Sequence, residues 1–182
     1  KETRYYLSGV FLHPPDDADG KPVLRAVATD GHRLALAEAK APEGSAGLEG
    51  VIVPRKAVSE ARRLIDGLDG PVDIEVSDTK IVVRAGRATL TSKLIDGSFP
   101  DYGRVIPKGN TRKLTIDNKA FEAAVDRVST VSAERSRSVK LSLSEGKLVL
   151  AVNHAETGAG NEELEAEYGD EPMEIGFNAK YL

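Results

Sequence analysis

The chain of 182 residues contains no cysteine and no tryptophan, and it has a single methionine. Without cysteine there is neither a disulfide nor a thiolate metal site, and thiol redox chemistry is excluded. No apolar run approaches the roughly 18 residues that cross a bilayer, and no charged-then-apolar leader opens the chain. These absences predict a soluble cytoplasmic protein with no membrane partner. With 40% hydrophobic and 30% charged residues, the chain is expected to fold.

Signatures of cofactor and metal binding are also missing. The 17 glycines form neither G-x-x-x-x-G-K-[ST] nor G-x-G-x-x-G, so nucleotide hydrolysis is not predicted. The segment Asp16–Gly20 faintly resembles a calcium loop, but Pro15 and Ala26 occupy its first and last ligand positions, which excludes the site. His13 and His154 lack partners at ligand spacing. We therefore expect no metal and no cofactor.

Charge is unevenly distributed along a chain whose net charge is −4. The segment Glu156–Glu171 is acidic and has no basic residue, whereas Pro54–Ile65 and Arg104–Lys113 are basic. This pattern is compatible with one basic surface on an acidic molecule. The alternative is that the clusters are ordinary solvated faces.

One sequence pattern occurs twice and begins a third time. The segments Val72–Gly86 and Val139–Asn153 align without a gap, with apolar residues at matching alternate positions and a polar turn between them. Matching strand ends and helix starts precede them at Val51–Val58 and Leu114–Phe121, and a third such start lies at Glu174–Leu182. Repeats of this length stack or close into larger structures, because one unit cannot bury its apolar face alone. We expect a piece of a longer chain that works in an assembly.

Hydrophobic periodicity predicts an α+β fold of antiparallel strands with few helices lying against the sheets. One helix starts at Pro54 and ends at Gly67, with an apolar face formed by Ala57, Val58, Ala61, Leu64 and Ile65. A second has Asp117 as its N-cap and an apolar face formed by Ala120, Phe121, Ala124, Val125 and Val128. The predicted strands lie within Arg4–His13, Pro22–Asp30, Arg33–Ala39, Val72–Gly86, Ala88–Leu94, Lys113–Ile116, Val139–Asn153, Glu162–Tyr168 and Met173–Phe177. A domain boundary is expected near Pro107–Thr111.

The string Ala26–Leu36 (AVATDGHRLAL) contains an Asp and a His two residues apart. A carboxylate that orients an imidazole base is one interpretation, and it would make Asp30 and His32 catalytic. No nucleophile or third partner accompanies them, however. The favoured interpretation is a tight Asp30-Gly31 turn that presents the following residues at a binding surface.

The connection Ser98–Val105 (SFPDYGRV) carries two aromatic residues where a polar loop is expected. Phe99 and Tyr102 are predicted to pin this connection against the core. Exposed apolar residues beside Arg104 would equally form a wall for a bound peptide.

Five strings resemble the bacterial DNA polymerase III beta subunit family, the sliding clamps, in their order and spacing. They are Arg4–Gly9 (RYYLSG), Ala28–Leu34 (ATDGHRL), Val51–Lys56 (VIVPRK), Thr91–Tyr102 (TSKLIDGSFPDY) and Met173–Asn178 (MEIGFN). The resemblance implies the DNA-clamp fold, in which repeated units of antiparallel sheet carry helices on the inner face of a ring. It implies a middle clamp domain over residues 1–108, lacking its first helix, and a third domain over 109–182, truncated at its C-terminal part.

The resemblance also implies function. By this resemblance, two protomers of the intact protein are expected to form a homodimeric ring around double-stranded DNA. A cleft is expected to bind peptides of the polymerase catalytic subunit, the clamp loader and other clamp-binding-motif proteins. Implied cleft residues are Leu7, Thr29, Gly31, His32, Arg33, Leu34, Pro100, Arg104, Val105, Asn178 and Tyr181. Implied DNA-binding residues are Arg4, Tyr5, Arg55, Lys56, Arg62, Arg63, Lys119 and Arg127. Ser136 departs from the family pattern, since some members carry an aromatic residue there.

This interpretation predicts a processivity factor that itself performs no chemistry. Two alternatives stay open: a peptide-binding scaffold that does not encircle DNA, and a hydrolase that uses Asp30 and His32.

Overall fold

The computed structural model describes residues 4–16, 22–131, 138–156 and 158–182. Residues 17–21, which include most of the segment rejected above as a calcium loop, and Ser136 lie outside these ranges. The chain divides into two compact units, Lys1–Gly103 and Arg104–Leu182. Helices α1 (Arg55–Ile65) and α2 (Asn118–Ser129) have 11 and 12 residues, and no helix of the described ranges has the length and apolarity to cross a bilayer.

The first unit consists of two antiparallel sheets and α1. Its strands are β1 (Gly9–His13), β2 (Val23–Thr29), β3 (Leu34–Lys40), β4 (Val51–Pro54), β5 (Val72–Val76), β6 (Lys80–Ala85) and β7 (Ala88–Lys93). One sheet has the order β3-β2-β1-β4 and the other the order β5-β6-β7. Helix α1 contacts β1 and β4 of the first sheet and β6 and β7 of the second, so it lies against both.

The core of the first unit forms where α1 meets these strands. Val53, Ala57, Ile81 and Val83 are buried, and Val58 and Ala61 pack against them together with other half-buried side chains. Pro54 was predicted in the first turn of the helix, but it ends β4 in an extended conformation and the helix begins at Arg55. Gly67 follows the helix with φ +75°. The predicted helix and most of its apolar face are therefore confirmed, whereas its last member, Ile65, is 40% exposed.

The second unit places α2 on one four-stranded sheet. Its strands are β8 (Ser138–Ser144), β9 (Lys147–His154), β10 (Gly158–Glu165) and β11 (Met173–Asn178), in the order β10-β9-β8-β11. Leu148 and Leu150 are fully buried under the helix residues Val125 and Val128. Burying each leucine side chain stabilises the fold by about 1.5–3 kcal/mol. The predicted N-cap is confirmed, because the Asp117 carboxylate accepts a hydrogen bond from Ala120 N at 2.8 Å.

The internal repeat is visible in the strand order. Strands β1, β2 and β3 form a meander in which β1 also pairs with the next strand along the chain, β4. Strands β8, β9 and β10 form an equivalent meander in which β8 also pairs with β11. The aligned segments Val72–Gly86 and Val139–Asn153 form the matching hairpins β5-β6 and β8-β9. The predicted α+β class with antiparallel sheets and few helices is thus confirmed.

Several predicted boundaries were wrong. Tyr5–Leu7 form a short 3₁₀ helix instead of strand, because Leu7 N and Ser8 N bond to carbonyls three residues back. Residues 113–116 contribute only an isolated bridge between Thr115 and Glu167. The last meander strand begins at Gly158, earlier than predicted, since the hairpin register extends to the end of β9. Ala120 of the predicted apolar helix face is exposed.

Candidate peptide-binding and DNA-facing surfaces

The turn between β2 and β3 carries five of the predicted cleft residues in one short segment. Asp30 Oδ1 accepts hydrogen bonds from the backbone N–H groups of His32 and Arg33, each at 3.0 Å, and Oδ2 accepts one from Arg33 Nε at 3.2 Å. Thr29 Oγ1 donates to Arg33 O at 2.8 Å and accepts from Gly31 N at 3.1 Å. The turn is therefore held from both ends by side chains.

The Asp30 carboxylate acts as the organiser of this turn. Its hydrogen bonds from the Arg33 and His32 backbone, together with the Arg33 guanidinium, lower the pKa of Asp30 from 3.8 to about 2. Gly31 adopts φ +85°, a left-handed conformation that the turn requires and that glycine adopts without strain. The side chains of His32 and Arg33 are exposed, and that of Leu34 is half-buried. This arrangement supports a binding surface, since the carboxylate is engaged in the turn itself.

Arg4 lies directly over this turn. A Cβ atom added to Gly31 would lie 3.0 Å from Arg4 Nη1 and 3.1 Å from Nη2. The structure therefore brings together a residue predicted to contact DNA and the turn predicted to contact peptide. Tyr5, 60% exposed, packs its ring near Gly97 of the connection that leads to Pro100.

The remaining cleft candidates of the first unit are Leu7, which is half-buried, and Pro100, which is exposed. In the second unit, Arg104 and Val105 are exposed, Val105 by 67%. Asn178 ends β11 and caps the short helix Ala179–Tyr181 by accepting from Lys180 N at 3.0 Å. This cap places Tyr181, 40% exposed, one turn beyond Asn178.

Helix α1 has a solvent-facing side that is strongly basic. Its exposed cations are Arg55, Lys56, Arg62 and Arg63. Glu60 pairs with Arg63 at 3.2 Å, and the Arg63 side chain is largely exposed, so this ion pair is weak. Because Ala57 and its neighbours bury the opposite side, the strand packing fixes which side of the helix is basic.

On helix α2, one of the two predicted DNA-binding cations is paired with a carboxylate. Lys119 is exposed near its start. Arg127 forms an ion pair with Glu162 of β10, which raises the pKa of Arg127 and lowers that of Glu162 through their side-chain hydrogen bonds. No sequence pattern indicated this pair. Within the described residues, no group of three or more His, Asp or Glu side chains is placed to hold a metal ion.

Sequence reasoning missed a second polar cluster, formed by His13, Arg25, Glu38 and Tyr102. Stacking of Phe99 on Phe11 and the hydrogen bonds of Tyr102 confirm that the aromatic connection is pinned to its own unit. No local pattern identifies the cluster, because strand pairing aligns His13, Arg25 and Glu38 and tertiary packing brings Tyr102 to them.

Comparison with known proteins agrees with these features. Residues 1–101 match the central domain of the DNA polymerase III beta subunit, and residues 103–182 match its C-terminal domain. The beta sliding clamp of Caulobacter vibrioides (strain NA1000 / CB15N) is 57% identical over the whole chain, which spans 49% of that relative.

Solved structures give the same result. The crystal structure of the C. crescentus beta sliding clamp with PEG bound superposes with a TM-score of 0.94 at 56% identity, covering all of this chain and 48% of that one. The DnaN sliding clamp from Bartonella birtlesii bound to griselimycin has a TM-score of 0.94 at 52% identity, covering all of this chain and 49% of that one. The chain thus spans about half the length of its relatives, and it belongs to the DNA polymerase III beta subunit family, the beta sliding clamps.

Proposed function

We propose that the protein containing this chain is a sliding clamp, a homodimeric ring that encircles duplex DNA and tethers proteins to it. Its partners would be the DNA polymerase III catalytic subunit, the clamp loader and other proteins with a clamp-binding motif. The assignment of residues 1–108 to a middle domain and 109–182 to a third domain is part of this proposal, as is a cytoplasmic location.

The observation that carries the proposal is the two-sided character of α1. One side packs on the sheets through Ala57, and the other carries exposed cations that include Arg55 and Arg62. Such a side attracts phosphates without reading sequence, and salt weakens the attraction. A ring retains DNA by topology, so tight contacts are unnecessary and would hinder sliding.

The turn at residues 29–34 supplies the proposed partner-binding surface of the first unit. Half-buried Leu7 and Leu34 would bind apolar anchors of a short peptide, and the exposed His32 and Arg33 would orient its polar groups. The hydrogen bonds of Asp30 hold the turn before any ligand arrives, which lowers the entropic cost of binding.

A direct test is fluorescence polarisation with a fluorescein-labelled peptide that carries a Gln and apolar anchors. The full-length gene product should bind it saturably, and Leu34→Ser should remove most of that binding. Leu36→Ser is the matched control, because Leu36 lies on the same strand and is 41% exposed but is not among the proposed cleft residues. Absence of binding to the unaltered protein would contradict the proposed cleft.

A second candidate function is a peptide-binding scaffold that does not encircle DNA. The ion pair between Arg127 and Glu162 favours it, since it partly neutralises the exposed side of α2. Loading onto a nicked circular plasmid distinguishes the two functions. A ring stays on the circle and slides off after linearisation, whereas a scaffold shows no such difference.

We further propose that the protein performs no catalysis of its own. Asp30 holds the turn through its hydrogen bonds, which supports a binding role over a hydrolase that uses Asp30 and His32. A hydrolytic activity of the purified protein that His32→Ala abolishes would contradict this.

A further inference from the structure

We infer that His13, Arg25 and Glu38 are positioning residues for the peptide-binding surface. His13 and Arg25 bind the hydroxyl of Tyr102, and Glu38 orients Arg25. Through this hydroxyl they fix the segment 98–102 that presents Pro100. The inference rests on the proposed function, because Pro100 is one of the proposed cleft residues. Tyr102 is the residue on which the positioning depends.

The three polar residues form one row across the first sheet. Strand pairing places His13 of β1 opposite Arg25 of β2, and Arg25 opposite Glu38 of β3. Arg25 Nε donates to Glu38 Oε1 at 2.6 Å, and the Arg25 side chain is only 11% exposed. A nearly buried guanidinium with a carboxylate partner is held in one orientation, which aims its other nitrogen atoms at a defined point.

That point is the hydroxyl of Tyr102. Arg25 Nη1 donates to it at 2.8 Å, and His13 Nε2 lies 2.9 Å from it. His13 Nδ1 lies 3.0 Å from Pro14 O, which only accepts, so Nδ1 carries the hydrogen. In the neutral imidazole, Nε2 is then an acceptor and the phenol donates to it. The hydroxyl therefore donates one hydrogen bond and accepts another.

A stack of rings anchors the other end of the segment. Phe11 stacks on His13 with centroids 4.5 Å apart, and on Phe99 with centroids 4.9 Å apart and planes 6° from parallel. Gly50 permits this packing, because a Cβ there would lie 2.5 Å from Phe11 Cζ.

Phe99 and Tyr102 thus attach the segment on both sides of Pro100, which itself stays exposed. A residue held in this way is ordered before a ligand binds, so the ligand does not bear the entropy of ordering it. Loss of the Tyr102 hydrogen bonds should therefore weaken peptide binding while the fold remains intact.

The test compares Tyr102→Phe with Tyr168→Phe in the full-length gene product, using the same fluorescein-labelled peptide. Each variant removes one hydroxyl and keeps the ring. Tyr168 donates to Glu171 O at 2.6 Å in the core of the second unit, so it is the matched control for a missing hydrogen bond. We expect Tyr102→Phe to raise the peptide Kd about threefold to tenfold, and Tyr168→Phe to leave the Kd unchanged.

Variants of His13 test the proposed hydrogen-bond acceptor. His13→Leu should raise the Kd, but by less than Tyr102→Phe does, because the hydrogen bond from Arg25 to the Tyr102 hydroxyl remains. His13→Gln should restore part of the affinity, because the amide oxygen accepts a hydrogen bond. In the double variant Tyr102→Phe/His13→Leu the losses of affinity should not add, since Tyr102→Phe already removes the hydrogen bond that His13→Leu would break.

Two further measurements distinguish failure of the positioning role from failure of the proposed peptide-binding function. Leu34→Ser reports on the cleft itself: if it removes binding while Tyr102→Phe does not change the Kd, the positioning role is overturned and the proposed function stands. Absence of peptide binding to the unaltered protein overturns both. The amide of Gly103 donates to Asp101 Oδ1 at 3.2 Å at the end of this segment. Its hydrogen exchange should accelerate in Tyr102→Phe, and unchanged exchange would overturn the positioning role independently of any peptide.

Discussion

Arg127 of α2 and Glu162 of β10, which are 35 residues apart in sequence, form a bidentate ion pair. Arg127 Nε donates to both carboxylate oxygens, at 3.1 and 3.0 Å, and Nη2 donates to Oε1. Arg127 is one of the cations predicted to face DNA. The negative charge of Glu162 therefore weakens the attraction between Arg127 and a DNA phosphate.

Removing this partner should strengthen DNA binding. Glu162→Gln is expected to lower the Kd for a labelled duplex by about two- to threefold at low salt, in keeping with the small energy of an exposed ion pair. The gain should shrink at physiological salt, because screening weakens the phosphate attraction. Fluorescence anisotropy at two salt concentrations measures both effects.

Glu163→Gln is the control for this change, since it removes the same charge from the neighbouring residue. Glu163 pairs instead with Lys147 of β9 at 3.2 Å. Equal gains in affinity from Glu162→Gln and Glu163→Gln would mean that net charge alone, and not the release of Arg127, is responsible.

The basic side of α1 should determine the salt dependence of DNA binding. Replacing Lys56 and Arg62 together by Gln is expected to weaken duplex binding and to reduce the slope of log K against log salt by about 0.9 for each phosphate that is no longer neutralised. Arg84→Gln serves as a control, because Arg84 lies on β6 and pairs with Glu75 at 2.9 Å. A slope that does not change in the double variant would exclude α1 from the DNA-facing surface.

The Asp30 turn should depend on pH in a defined window. The pKa of Asp30 is lower in the folded protein than in the unfolded chain, so the ionised carboxylate stabilises the turn above the unfolded value near 3.8 and this contribution is lost as pH falls toward about 2. A carboxyl-carbon NMR titration should give a midpoint near 2. A midpoint near 3.8 would show that the hydrogen bonds to His32 and Arg33 do not persist in solution.

Substitution at the same position gives a second readout. Asp30→Ala should accelerate hydrogen exchange at the amides of His32 and Arg33 and weaken peptide binding, whereas Asp30→Asn keeps an acceptor and should do so less. Identical behaviour of the two variants would argue against the role of the Asp30 hydrogen bonds in holding the turn.

Gly50→Ala should destabilise the first unit by about 1–3 kcal/mol, the usual cost of overpacking a filled site. The added methyl group would collide with the Phe11 ring, which cannot move freely because it stacks on Phe99. Denaturant unfolding measures the change. Gly47→Ala is the control, since no atom lies within 4 Å of a Cβ at Gly47. Phe11→Leu in the Gly50→Ala background should recover part of the stability.

Much of the fold could be predicted because its signals are local. The helix starting after Pro54, the Asp117 cap and the hairpins β5-β6 and β8-β9 follow from turn chemistry and alternation within a few residues. Two of the errors, at residues 113–116 and at the start of β10, fell where strand pairing decides the outcome. Residues 113–116 have strand composition, but only Thr115 has a bridge partner.

The candidate site divides in the same way. The family resemblance indicated which residues are candidates for peptide and DNA binding. The Asp30-Gly31 turn could be predicted from the sequence alone. The sequence does not show that Arg127 has an acidic partner, because only the packing of α2 beside β10 brings Glu162 to Arg127. Lys119 and Arg127 therefore look alike in the sequence.

By itself, therefore, the sequence determined the repeat, both helices, the two repeated hairpins and the Asp30-Gly31 turn, since each depends on residues close together in the chain. Tertiary structure alone decided three relationships: the row of His13, Arg25 and Glu38 that binds Tyr102, the pairing of Arg127 with Glu162, and the contact of Arg4 with Gly31. All three depend on packing between segments distant in sequence. In the row across the sheet, a shift of one residue in strand register would also turn a side chain to the other face.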